Sequence, residues 1–251
     1  MWRVIGASVA GTAHQSTNTP CQDAHCFRAS DRWLVLAVAD GAGSASLSQE
    51  GAKLATQTAV NFITEQLQRR HPVIRPDFLE LLSETLKVVR ESLLTLSEQK
   101  QCQLNQLATT ISCAVVTDTH LAAIQVGDGT IVCRDASGET FQILRPKRGE
   151  YANETHFITS DDAFMHTQIQ ISRRPIVSLA ALTDGLIRLA CVLPDFRPYP
   201  NFFHPLFDFV QSDKSDSELI VSLQNFLLSE AVCSRTHDDK TLVLAGRCQL
   251  S

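Results

Sequence analysis

No apolar stretch in these 251 residues approaches the ~20 that a membrane span requires, so no transmembrane helix is expected. The start, Met1-Trp2-Arg3-Val4, lacks the charged and apolar segments of a secretory signal, and a cytoplasmic location is the expectation. There is no run of basic residues. Arg145, Lys147 and Arg148, the densest cluster, are broken by Pro146, and 22 basic against 27 acidic residues leave a formal charge of −5. Nucleic acid, which demands a clustered positive footprint, is excluded on that ground. Of the eight cysteines none forms a CxxC pair, and Cys113, Cys133 and Cys191 sit inside apolar runs as small core residues do, so reduced thiols are expected. No GxxxxGK[ST] loop is present, which removes the usual support for nucleotide binding. There is neither internal repeat nor linker, and the length suits one domain over 1–251.

What is present is strongly patterned. Trp33 to Ala39 is an unbroken apolar run, as expected of a strand buried on both faces. Thr110 to Thr117, Leu121 to Val126 and Thr130 to Arg134 follow one another with short polar connectors and predict an antiparallel meander. Ile176 to Leu182 and Thr241 to Ala245 are further strands. A capping box, Ser46 with Gln49, opens a predicted helix to about Gln68 with Ala52, Ala55, Ala59, Ile63 and Leu67 on one face. Asp77 to about Lys100 carries a second helical stripe. Ser215 to Cys233, opened by Ser215 and Glu218, carries a third, with Ile220, Leu223, Leu227 and Ala231 as its apolar face. Helices segregated from strands predict an α+β fold of mostly antiparallel sheets, with the first two helices over one sheet and the late helix over another. Residues 145–170 have weak periodicity and are expected to be an irregular insertion near the functional edge.

Aspartates stand at the strand ends. Asp40 follows the WLVLAVA run and precedes Gly41; Asp128 lies between Gly127 and Gly129; Asp184 precedes Gly185; Asp238 and Asp239 precede the last strand. A strand end holds a carboxylate rigidly, and glycine lets the backbone turn sharply and approach a ligand. Converging carboxylates repel unless a cation neutralises them. All-oxygen donor sets suit Mg²⁺ or Mn²⁺. One Asp-Gly alone is an ordinary turn; the repetition is what points to a shared metal site.

These residues, in order, resemble the motifs of the PPM phosphatases, the protein phosphatase 2C-like family. Cys21-Gln22-Asp23-Ala24, Val38-Ala39-Asp40-Gly41-Ala42-Gly43, Ala108-Thr109-Thr110, Val126-Gly127-Asp128-Gly129, Thr183-Asp184-Gly185-Leu186 and Asp238-Asp239-Lys240-Thr241 carry the likeness from Gly6 to Ala245. The resemblance implies a four-layer α-β-β-α sandwich with two Mn²⁺ or Mg²⁺ ions and a weaker third. It implies that Asp40 bridges two ions, that the Gly41 carbonyl binds one and Asp184 and Asp238 the other, and that Asp23 holds the second through water. Asp128 with Asp184 would take the third, and 145–170 would form a flap. Asp40, Asp184 and Asp238 would then be the catalytic set. A water or hydroxide bridging the ions would attack phosphoserine or phosphothreonine without a covalent intermediate, and no cysteine would act as a nucleophile.

The likeness departs in places. No arginine stands in the segment from His14 to Pro20 before the first acidic motif; His14 is the one basic candidate for phosphate contact there. Ala42 and Gly129 replace a histidine and a serine common in the family, as in a divergent, bacterial-type branch. The implied partners are phosphoprotein substrates and a cognate serine/threonine kinase, with nothing demanding more than a monomer. The alternatives are a PPM-like phosphoprotein-binding module with weak or no catalysis, a hydrolase of small phosphate esters, and a sandwich whose acidic turns are coincidental.

Overall fold

The computed structural model describes residues 1–69, 74–146 and 155–248. In chain order the strands are β1 (Trp2–Val9), β2 (Ala24–Ala29), β3 (Trp33–Ala39), β4 (Ile111–Thr117), β5 (Leu121–Val126), β6 (Thr130–Asp135), β7 (Thr140–Leu144), β8 (Gln168–Ser172), β9 (Ile176–Leu182), the short pair β10 (Cys191–Val192) and β11 (Arg197–Pro198), and β12 (Lys240–Arg247). The helices are α1 (Thr12–Thr17), α2 (Ser48–Arg69), α3 (Arg75–Lys100), α4 (Ile187–Ala190), α5 (Pro200–Val210), α6 (Asp216–Leu227) and α7 (Glu230–Cys233). Two five-stranded sheets result, ordered β1-β12-β9-β6-β7 and β2-β3-β4-β5-β8, every pairing antiparallel.

Alternation along the central strands builds three stacked cores. Leu34, Leu36 and Val38 of β3 face Leu179 and Ala181 of β9 and Val243 and Ala245 of β12 between the sheets. The intervening Trp33, Val35, Ala37 and Ala39 face the α2–α3 hairpin. On the other outer surface Ala180, Leu182, Leu242 and Leu244 pack on α5 and α6. This is the expected four-layer α-β-β-α sandwich. Alanines at 52, 55 and 59 let α2 lie close on its sheet, with Ile63 and Leu67 completing the buried stripe.

Four expectations need correction. The meander does not form: β4 and β5 pair, but β6 joins β9 and β7 in the opposite sheet. The chain changes sheets at Gly127-Asp128-Gly129. Gly127 has φ +123°, and a Cβ there would lie 2.6 Å from Thr110. The Gln125 amide ties the turn by donating to the Gly127 and Gly129 carbonyls at 2.9 and 2.8 Å. Second, α2 starts at Ser48, not Ser46: its first turn closes from the Gly51 N–H onto the Leu47 carbonyl at 3.0 Å, and the Leu47 N–H donates to the Gln106 carbonyl at 2.9 Å, so Leu47 stands at the cap. Third, the late helix breaks at Leu228–Ser229, where Ser229 turns to extended backbone and its hydroxyl donates to the Phe226 carbonyl at 2.7 Å. Its buried face runs through Leu219, Leu223 and Leu227, leaving Ile220 half-buried and Ala231 exposed. Fourth, 145–170 is irregular only in part. Residues 147–154 lie outside the described residues, but Ile158 is fully buried, its N–H donates to the Thr109 carbonyl at 2.9 Å, and β8 begins at Gln168. Helix α5 was not expected, since Pro205 interrupts an aromatic stretch; Phe202, Phe203, Phe207 and Val210 bury its inner face. No described helix is long and apolar enough to cross a membrane.

Candidate metal centre

Asp40 leaves the end of β3 with its backbone clamped. Its N–H donates to the Thr110 hydroxyl at 2.9 Å, and its carbonyl accepts from the Thr110 N–H (2.8 Å) and the Thr109 hydroxyl (2.9 Å). Gly41 then passes so close to the Gln22 and Ser48 carbonyls that a Cβ would sit 2.6 and 2.8 Å from them. Only glycine fits this passage.

Asp128 sits in the turn between the sheets, and Asp184 follows β9. Ligand oxygens of Asp40, Asp128 and Asp184 all lie within 4.8 Å of one another. Asp128 Oδ2 accepts from the Thr155 hydroxyl at 2.8 Å. Gly185, beside Asp184, meets the Asp239 carbonyl where a Cβ would come within 1.9 Å, so the 183–185 turn and the start of β12 are locked together.

Asp23, just before β2, is buried, and its Oδ2 accepts from the Thr183 hydroxyl at 2.7 Å. Thr183 in turn accepts the Thr241 N–H at 3.0 Å, so one hydroxyl links three motifs. Asp238 borders a cavity of about 460 Å³ shared with Asp184, Gly185, His14, Arg188, Arg235 and His237.

Asp239 is different. Its Oδ1 accepts from the Gly11 N–H (2.7 Å) and faces His14 Nδ1 (2.9 Å), while Oδ2 accepts from the Gln22 N–H (2.6 Å). With this carboxylate engaged inside the protein, Asp238 is the member of the pair that opens on the cavity. Lys240, fully buried, reaches the Asp238 carbonyl from behind at 3.4 Å.

The electrostatics follow from this crowding. Burial, then the charges of Asp23, Asp184, Asp238 and Asp128, push Asp40 well above the usual carboxylate range. Burial, then Asp128, Asp238 and Asp23, push Asp184 up likewise. Burial raises Asp23 to about 7, opposed by the hydrogen bonds of Thr183 and Thr241 and reinforced by Asp239. Such a group cannot be fully ionised at neutral pH by itself. The donor set is all oxygen, and the residues present fit Mg²⁺ or Mn²⁺.

Of the seven residues singled out in the sequence, the structure gathers Asp40, Asp128 and Asp184 tightly. It brings the charges of Asp23 and Asp238 to bear on them, lays Gly41 against Asp40, and puts His14 on the cavity wall. Sequence reasoning missed Thr155, Thr183, Arg188, Arg235 and Lys240. Thr183 carried a signal, being part of Thr-Asp-Gly; the rest depend on tertiary neighbours.

Cys26 and Cys191 each stand six residues before an arginine, the spacing of a cysteine phosphatase. Cys26, however, lies mid-strand opposite Ala37, and Cys191 is buried in β10. Burial raises both thiols, Cys191 to about 11. Neither is a ready nucleophile.

The family model for protein phosphatase 2C matches residues 10–227. Serine/threonine-protein phosphatase 3 of Escherichia coli (strain K12) is 35% identical, covering 97% of this chain and 98% of that protein. Among solved structures, the serine/threonine phosphatase PstP/Ppp of Mycobacterium tuberculosis superposes with TM-score 0.63 at 16% identity, over 99% of each chain. RsbX in complex with magnesium does so with TM-score 0.54 at 16% identity, over 98% of this chain and 94% of that one. Fold, ordered motifs and a whole-length relative agree: the chain belongs to the protein phosphatase 2C family.

Proposed function

We propose that this chain, acting as one catalytic domain, hydrolyses phosphoserine and phosphothreonine in protein substrates with two Mn²⁺ or Mg²⁺ ions, and a weaker third, as its cofactors. The observation that carries the reading is the convergence of Asp40, Asp128 and Asp184 within 4.8 Å at the edge of an open cavity. Asp40 and the Gly41 carbonyl would hold one ion, and Asp40 with Asp184 and Asp238 would hold the other. Asp23 would act through water, and Asp128 with Asp184 would hold the third ion. When bound, the ions supply an activated water and offset the charge that builds on the phosphoryl oxygens.

The protein's own part is positioning. Asp239 fixes the His14 ring at Nδ1 on the cavity wall, which is what makes His14 the candidate phosphate contact. Arg188 and Arg235 line the same cavity and form no ion pair with a described residue. They supply positive charge where the first acidic motif brings no arginine. The substrate in this reading is a phosphorylated serine or threonine side chain entering the open cavity, and its implied partner is an opposing serine/threonine kinase.

The test is hydrolysis of p-nitrophenyl phosphate and a phosphothreonine peptide with Mn²⁺, Mg²⁺ or EDTA, alongside Asp40→Asn and Asp184→Asn. Turnover should need the cation and fall by about 10²–10³ or more in each variant, the scale for removing one electrostatic group from such a site. Tight cation binding without turnover would instead make the protein a phosphoprotein-binding module.

A further inference from the structure

Among the described residues two groups of three histidine, cysteine, aspartate or glutamate side chains bring their ligand atoms within 4.8 Å of one another. One is the carboxylate trio above. The other is His156, Asp162 and His166, chemically distinct because it offers two imidazoles and a single carboxylate. His166 Nε2 lies 3.0 Å from Asp162 Oδ2, and the rings of His156 and His166 stack with centroids 3.5 Å apart and planes 6° from parallel.

From this arrangement we infer a second cation site, for zinc or a cation of its class, separate from the magnesium or manganese centre. Zinc binds imidazole nitrogen at about 2.0–2.1 Å and carboxylate oxygen at about 2.0–2.2 Å. Donors around a tetrahedral ion of that size are about 3.3–3.5 Å apart; His166 Nε2 and Asp162 Oδ2 are slightly closer than that at 3.0 Å, and the His156 donor lies within 4.8 Å of both. The stacked rings must swing about their side-chain torsions until both planes meet at the ion, a rotamer change open to two histidines that are only half-buried. Two imidazoles and one carboxylate leave a fourth position for water, and imidazole suits zinc where all-oxygen sets suit magnesium. None of the eight cysteines belongs to either group, so thiolate sites do not compete by geometry among the described residues.

The segment is built to hold its shape. Arg90 donates to the Ile158 and Ser160 carbonyls at 2.7 and 2.6 Å, and Ala163, at the start of the 3-10 turn Ala163–His166, is fully buried. Ligands carried on an anchored turn lose little entropy on capture. The site also reaches the main centre: Thr155, the residue before His156, donates to Asp128 at 2.8 Å. A cation on this triad would steady that contact from outside the carboxylate group.

The experiment is a zinc titration against a chromophoric chelator, with the full chain in excess Mg²⁺ to occupy the carboxylate centre. One equivalent of zinc should be retained by the native protein and by the Asp40→Asn, Asp184→Asn double variant. Affinity should fall at least tenfold in His156→Gln and in His166→Gln, and also in Asp162→Asn, whose exposed side chain separates ligand loss from a fold defect. Thermal melts of each variant in the absence of zinc verify the fold. Cobalt substituted for zinc should give visible d–d absorption in the native protein and none in the histidine variants. Equal zinc retention by native and histidine-substituted chains, or none by the native chain, would overturn the site. Neither outcome depends on phosphatase turnover.

Discussion

The carboxylate of Asp239 is 2% exposed and meets two backbone N–H groups and an imidazole, whereas Asp238, one residue earlier, opens on the cavity. Identical side chains therefore predict opposite phenotypes. Asp239→Asn turns an acceptor oxygen into a donor facing buried N–H groups, and leaving such groups unsatisfied costs about 1–3 kcal/mol each. A lowered melting temperature is expected with or without added cation, along with a fall in activity as His14 loses its anchor. Asp238→Asn should leave the cation-free melting temperature nearly unchanged, within about 0.5 kcal/mol, while weakening Mn²⁺ binding. Thermal melts paired with Mn²⁺ titrations distinguish the two. A reversed pattern would mean that Asp239, not Asp238, faces the ions.

At the scale of elements, the 127–129 turn is the most demanding local structure. Gly127→Ala combines φ +123° with a Cβ 2.6 Å from Thr110, so a loss of more than about 1 kcal/mol is expected, together with displacement of Asp128. Weakened binding of one cation, with the others unchanged, would be its calorimetric signature. Ser215→Ala removes the cap that accepts the Glu218 N–H on α6 and should cost about 1 kcal/mol, read from a denaturant midpoint with unchanged slope. The same elements show what sequence carries. Strands β3, β9 and β12 were legible because their runs are apolar on both faces, which layered cores on both sides require. Helix α3 was legible from its stripe, and the strand-end aspartates from their glycines. The departure of β6 to the other sheet was not legible, since a three-residue connector looks the same whether it closes a hairpin or bridges two sheets. Helix α5 was hidden by Pro205, and the break at Ser229 by a periodicity that runs on across it. The partition of Asp238 from Asp239 was legible only through the family's spacing from Thr241; the contacts that consume Asp239 come from residues more than two hundred positions away.

For the whole molecule, the raised carboxylates set a pH dependence with a definite sign. Asp23 titrates at about 7 in the folded chain, against about 3.9 when unfolded. Between those values the folded state keeps a proton the unfolded state has lost, so stability falls as pH rises through the window. Asp40 and Asp184, also raised, act in the same direction. Cation-free protein should therefore melt at lower temperature at pH 8 than at pH 5. Saturating Mn²⁺ or Mg²⁺ should reverse the loss, adding about 2.7 kcal/mol at one hundred times the dissociation constant. A cation-free melting temperature that climbs from pH 5 to pH 8 would show that the carboxylates do not share one centre.

The change of sheet at Asp128 has a kinetic consequence. The carboxylates come from positions 23, 40, 128, 184 and 238, on both sheets and at the turn that joins them. No fragment shorter than 23–238 carries the whole set, and β12, which follows Asp238, pairs with β1 at the opposite end of the chain. During synthesis the centre therefore stays incomplete until the final strand has emerged and docked. Cation capture is a late event, and its rate after dilution from denaturant should match that of the slowest folding phase.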